Sequence, residues 1–218
     1  MRILLVNPNS SAIVTETLRA ATVPLQTEKL QIDVVHCSNV PKAIVTSHDE
    51  LKAGLSVTDL LIREEPNFDA AIIGCFADPG LRAARELIRK PVVGLYESSA
   101  IFARLSGRRY SIIASGDESD ISPWIGSVRD LGDTENLASI RYINSTVEDS
   151  VTASDERIYQ IIDQCRKQDG ADAVILGCAA FAGKGKRLSE AAGIPVIDGI
   201  CESVQMAEMM VSYRRKQQ

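Results

Sequence analysis

The sequence predicts an α/β fold: two small parallel-sheet units, related by a pseudo-twofold axis and born of an internal duplication. Three observations predict it. Motifs recur in the same order in both halves, short continuous apolar runs mark strands, and helical patterns lie between them. Asp69-Ala-Ala-Ile-Ile-Gly-Cys75 reads against Asp172-Ala-Val-Ile-Leu-Gly-Cys178, 103 residues later. Pro91-Val-Val-Gly94 echoes Pro195-Val-Ile, and Gly94-Leu-Tyr-Glu-Ser98 matches Gly199-Ile-Cys-Glu-Ser203. Upstream, Arg2-Ile-Leu-Leu-Val-Asn lies against Arg109-Tyr-Ser-Ile-Ile-Ala, and Gln31-Ile-Asp-Val-Val-His against Ser139-Ile-Arg-Tyr-Ile-Asn. One such match is chance; an ordered series marks two copies of one unit, about 1–105 and 106–218.

Each element has its own signal. Residues 3–6, 32–35, 70–73 and 92–94 are short and apolar throughout, as strands buried on both faces of a parallel sheet are. Helical patterns fall at 11–21, 50–64 and 81–88, the last stopped by Pro91. In the second copy, 155–167 and 186–192 take equivalent places. Strands alternating with helices imply right-handed crossovers and doubly wound sheets. The crossover between copies is expected near Ser106-Gly-Arg108. As folded units, the first domain is expected at 1–97, completed by a C-terminal helix at 199–218. The second then spans 98–198, with the active site in the cleft between them.

Composition narrows the chemistry. The chain has 218 residues, 45% hydrophobic and 24% charged, with a net charge of −5. That is enough chain for a real core, and too acidic for the basic footprint of a nucleic-acid or membrane-surface binder. No apolar run approaches the roughly 20 residues of a membrane span. The apolar stretch at 3–6 is too short for a signal peptide, so a cytoplasmic location with reduced thiols is expected. His36 and His48 are the only histidines, which leaves the five cysteines as the reactive inventory. No Cys-x-x-Cys pair exists, so zinc ribbons and dithiol redox motifs find no support, and no metal site is expected.

Cys75 and Cys178 each follow a strand and precede a helix, on the edge where open parallel sheets bind ligands. Helix N-terminal N–H groups there are expected to favour thiolate, lowering each sulfur below its free pKa of about 8.5. Two thiols aimed at one cleft from opposite sides suit removal of a proton from one face of a carbon and delivery to the other. Cys37, Cys165 and Cys201 have no cysteine counterpart and read as packing residues. Other motifs read as structure. Gly177 to Lys184 lacks the spacing and the hydroxyl residue of a phosphate loop, His48 sits in a helix-cap segment, and Asp78-Pro-Gly is a turn. Asn9 and Ser10, with Ser115 and Gly116 in the second copy, occupy strand-to-helix loops on the cysteines' edge and can reach a polar ligand. Backbone N–H groups at Phe76, Ala77, Ala179 and Ala180 can hold carbonyl oxygens and stabilise an enolate.

Together, Val-Asn7-Pro-Asn-Ser-Ser11, Gly74-Cys-Phe-Ala-Asp-Pro-Gly-Leu81, Pro91-Val-Val-Gly94 and Leu176-Gly-Cys-Ala179 resemble the hydantoin/allantoin racemase branch of the aspartate/glutamate racemase superfamily. The resemblance covers nearly the whole chain. It implies an aspartate/glutamate racemase-like fold and a cofactor-independent racemase of 5-substituted hydantoins or allantoin. It further implies Cys75 and Cys178 as paired acid and base, a small-molecule substrate and a homo-oligomer. By the same resemblance Asn9 is a substrate-contacting asparagine and Ser115 lies on the second-domain loop. The chain departs from the usual pattern at Ala77, at Ala179-Ala-Phe181 and at Ala114-Ser115-Gly116, all of which bear on the substrate. Two alternatives follow: an aspartate or glutamate racemase or related isomerase or decarboxylase, and a noncatalytic two-lobed binding protein.

Overall fold

A computed structural model describes residues 1–107, 109–120 and 122–217. Arg108 of the expected crossover and Gln218 of the expected C-terminal helix lie outside the described residues. The first half runs β1 (Arg2–Asn7), α1 (Ala12–Thr22), β2 (Gln31–His36), α2 (Ser47–Glu64), β3 (Ala70–Ile73), α3 (Leu81–Leu87), β4 (Val92–Gly94) and α4 (Leu95–Ser106). The second runs β5 (Tyr110–Ala114), α5 (Ser122–Asp130), β6 (Leu137–Tyr142), α6 (Val147–Ser150), α7 (Asp155–Gln168), β7 (Ala173–Leu176), α8 (Gly185–Ala192), β8 (Val196–Ile197) and α9 (Ile200–Gln217).

The duplication is visible in the sheets. Strand order is β2-β1-β3-β4 in one and β6-β5-β7-β8 in the other, every pairing parallel. The strands are apolar on both faces because both faces are covered. In β1, Ile3 and Leu5 enter a central core while Leu4 and Val6 enter an outer one. In β7, Ala173 and Ile175 join the same central core, and Val174 and Leu176 a separate outer core. The two sheets therefore share a middle layer. Its helices are exchanged: α4 packs on β7 and β8, whereas α9 packs on β3 and β4. Tyr96 of α4 and Tyr110 of β5 share a hydroxyl–hydroxyl hydrogen bond of 2.9 Å inside this layer, and Tyr110 donates to Asp133 at 2.6 Å.

Local chemistry sets the helix starts. Thr46 caps α2 reciprocally with Asp49, so the helix begins at Ser47 and takes in His48, slightly ahead of the expected residue 50. Thr146 and Ser154 cap α6 and α7. Among the described residues, no helix is long and apolar enough to cross a membrane.

Candidate active site

A cavity of about 740 Å³ opens at the carboxyl edge of both sheets. The first half supplies Asn9 after β1, Ala43–Val45 after β2 and Gly74–Ala77 after β3. The second supplies Ser115–Asp117 after β5, Asn144–Val147 and Asp149 after β6 and Gly177–Ala179 after β7. Equivalent loops of the two copies thus meet around one space.

Both cysteines line it, each held in the same way. The backbone N–H of Ala77 donates to Cys75, and the N–H of Ala180, again two residues on, donates to Cys178. The Ser115 hydroxyl adds a bond to Cys178 that Cys75 does not receive. Neither is in a disulfide.

The expected lowering of the thiol pKa values is reversed. Burial pushes Cys75 up to about 12, and negative charge on Cys178, Asp78 and Glu50 adds to the rise. Burial raises Cys178 too, against the donors from Ser115 and Ala180. The reason is local. Cys75 is separated from α3 by the turn at 76–80, and Cys178 is followed by only a single 3₁₀ turn, Ala179–Phe181. Among the described residues neither sulfur is followed directly by an α-helix, and removal from water prevails.

The turn after Cys75 is braced by Asp78, whose backbone sits at a left-handed φ of 45°. Its carboxylate accepts the N–H of Tyr96 at 3.1 Å and of Glu97 at 2.9 Å, capping α4 from outside the helix. This requires glycine at 94, where a Cβ would lie 2.3 Å from Asp78 Oδ2. The loop bearing Cys75 is thereby fastened to the helix that crosses to the other half.

Of the residues named from sequence, Asn9, Cys75, Phe76, Ala77, Ser115, Gly116, Cys178 and Ala179 all line the cavity. Ser10 and Ala180 do not. Ser10 is turned to the next loop, its N–H donating to the Pro41 carbonyl at 3.0 Å and its hydroxyl to the Val40 carbonyl at 2.8 Å. Gly116 makes the matching bond in the second half, to the Ser145 carbonyl at 2.6 Å. The Ala180 side chain packs in the outer core of the second half, while its N–H serves Cys178. Cys37 and Cys165 are buried in the outer cores, and Cys201 is half-buried on α9.

Sequence reasoning did not single out residues 43–45, 144–147 and 149. Their signal was the rule already applied to the cysteines, since both follow the carboxyl ends of matching strands, β2 and β6. A side-chain contact also joins the halves through loops that border the cavity. Ser11, at the N-cap of α1, makes no side-chain cap bond there and donates instead to Glu148 of α6 at 2.8 Å.

The chain is thus a two-half, parallel-sheet α/β protein with one shared cavity and a cysteine from each half on its wall. The family model for Asp/Glu/Hydantoin racemases matches residues 3–207, and the chain belongs to that family of racemases. It is similar to the hydantoin racemase of Paenarthrobacter aurescens, with 33% identity over 97% of this chain and 92% of that one. Among solved structures, it is similar to the allantoin racemase of Klebsiella pneumoniae, with a TM-score of 0.92 and 29% identity over 98% of this chain and 88% of that one. It is also similar to the allantoin racemase of Pseudomonas fluorescens, with a TM-score of 0.89 and 26% identity over 98% and 92% of the two chains.

Proposed function

We propose that this racemase interconverts the enantiomers of a neutral cyclic ureide, a 5-substituted hydantoin or allantoin. One of Cys75 and Cys178 takes the proton and the other supplies a proton to the opposite face, without a cofactor. The observation that carries the reading is the pair of equivalent cysteines on one cavity, each accepting an N–H from the residue two positions on.

Cys178 has the extra hydroxyl donor, and charge on it disfavours charge on Cys75, so when one of the two sulfurs gives up its proton Cys178 is the favoured one. That thiolate removes the ring C–H proton, and the electron pair moves onto the adjacent carbonyl as an enolate. The Cys75 thiol then delivers its proton to the opposite face. The protonation states of the two sulfurs are now exchanged, which equips the enzyme for the other enantiomer. Desolvation serves this scheme by making the thiolate a stronger base and keeping its partner a thiol.

Charge favours a neutral substrate. Among the described residues lining the cavity there is no Lys, Arg or His, whereas Asp117 and Asp149 are there. Aspartate or glutamate would bring carboxylates into a space with no described counter-charge. Val14, Ile44, Val45 and Val147 give the wall an apolar share for a ring substituent. Membership of a racemase family weighs against a noncatalytic binding protein. The reading places the enzyme in a reducing cytoplasm, where free thiols persist, and as a homo-oligomer.

Optically pure 5-substituted hydantoins, allantoin, aspartate and glutamate, each incubated with the protein, test the substrate class. Loss of optical rotation with a hydantoin or allantoin, and none with the amino acids, is expected. Racemisation of aspartate or glutamate alone would overturn it.

A further inference from the structure

Beneath the cavity lies a buried polar network that the chemistry above does not use. Asn7, at the end of β1, is fully buried, and its Nδ2 lies 2.9 Å from Asn9 Oδ1 and 3.0 Å from Thr15 Oγ1. The orientation of every amide in this network follows from its donors. The backbone N–H of Ser11 points at one atom of the Asn9 amide from 2.9 Å, and that atom must be the oxygen. An oxygen there requires a donor from Asn7, so the facing atom of Asn7 is its nitrogen. Thr15 agrees independently. Its hydroxyl proton is given to the Ser11 carbonyl at 2.8 Å, so toward Asn7 it can only accept. Asn7 Oδ1 is left to accept the N–H of Asn9, at 3.3 Å. Asn9 Oδ1 is thus filled from two sides, and among the described residues Asn9 Nδ2 has no acceptor although Asn9 lines the cavity.

We propose that Asn7 is a positioning residue for the racemase reaction. By donating to Asn9 Oδ1 it locks the Asn9 amide with its NH₂, never its oxygen, presented to the substrate. Given the substrate class proposed above, on which this inference rests, Asn9 then donates to a ring carbonyl and helps hold the negative charge that develops there. The residue acts through Asn9 and does not itself touch the ligand. Thr15 and the Ser11 backbone fix Asn7 in turn, so the first turn of α1 sets the polarity of one cavity wall.

The near-isosteric Asn7→Asp variant removes the donor. Its carboxylate sets an acceptor against Asn9 Oδ1, so the Asn9 amide can no longer satisfy residue 7 and the Ser11 N–H in one orientation, and its fixed presentation to the cavity is lost. Racemisation of a 5-substituted hydantoin, read as kcat/KM, is expected to fall about ten-fold, the scale of one hydrogen bond. In an Asn9→Ala background the same substitution is expected to change kcat/KM by less than about two-fold, because the residue it acts through is gone. A full loss persisting in that background would make Asn7 merely structural and overturn the proposal. Side-chain amide exchange, followed by NMR on ¹⁵N-labelled protein, reads the arrangement without turnover. Slow exchange at Asn7 Nδ2 and fast exchange at Asn9 Nδ2 are expected, the latter slowing in Asn7→Asp. The reverse pattern in the wild type overturns the proposal even if hydantoins are turned over. The expected pattern in a protein that racemises no hydantoin would refute the substrate assignment and leave the lock standing. If Asn7→Asp does not fold, the isosteric Thr15→Val variant removes one of Asn7 Nδ2's acceptors and leaves it only the long bond to the Ser11 carbonyl, 3.4 Å, beside Asn9, so exchange at Asn7 Nδ2 is expected to speed; unchanged exchange contradicts the network.

Discussion

At Cys75 and Cys178 the governing quantity is the cost of placing charge away from water. Both thiols lie above their ordinary range, Cys75 at about 12. Alkylation by iodoacetamide is therefore expected to be slow at pH 7 and to rise steeply in alkali, with Cys178 modified before Cys75; mass spectrometry of the peptides reads the order. Reaction of both at pH 7 at the rate of a free thiol would contradict the burial argument. The same shift bears on stability. The unfolded chain loses these thiol protons near the free value of about 8.5, well before folded Cys75 does, so the folded state loses stability as pH rises from there toward about 12. The wild-type Tm is expected to fall more between pH 8 and pH 10 than that of Cys75→Ser, in which this titration is absent. For activity, Cys75→Ser and Cys178→Ser are each expected to lower kcat/KM by about 10²-fold or more, the usual scale of one proton-transfer group. A variant that racemises at the wild-type rate would remove its cysteine from the mechanism.

Elements hold these residues by contacts that local sequence rules describe unevenly. The Asp78 carboxylate caps α4 across a gap that exists only because residue 94 is glycine. Gly94→Ala is expected to cost about 1–3 kcal/mol by overpacking and to lower Tm by several degrees. An unchanged melting curve would mean that the turn after Cys75 is not fastened there. Ser11 shows a local rule overridden by a distant partner. A serine at an N-cap ordinarily bonds its own helix, yet this one gives its proton to Glu148. In a double-mutant cycle of Ser11→Ala with Glu148→Gln, melting experiments are expected to show a coupling of about 0.5–1.5 kcal/mol. Strict additivity would contradict the clasp. The strands were legible because a run apolar on both faces has few other solutions, as the alternate placement of Ile3, Leu4, Leu5 and Val6 illustrates. The Ser11 contact was not, since its partner lies 137 residues away.

Across the whole molecule, duplication explains most of what the sequence revealed. The two Gly-Cys strand ends were readable as a pair because the repeat keeps cysteine at the same turn in both halves. Asn9, Ser115 and Gly116 followed from the edge those turns share. One feature depends on how the halves meet and so left no local trace: the sulfurs are desolvated enough to reverse the direction of their titration. Residues 43–45, 144–147 and 149 reach the cavity by the strand-end rule that had been applied only to the cysteines. A cavity with equivalent walls implies chemistry indifferent to the hand of its substrate. The most direct test is racemisation of one hydantoin enantiomer in heavy water, stopped early, with deuterium measured separately in each enantiomer. Two cysteines working on opposite faces are expected to leave the recovered starting enantiomer protonated and to place solvent deuterium in the product. Equal deuterium in both from the earliest times would indicate one base serving both faces, and would contradict the paired-thiol mechanism.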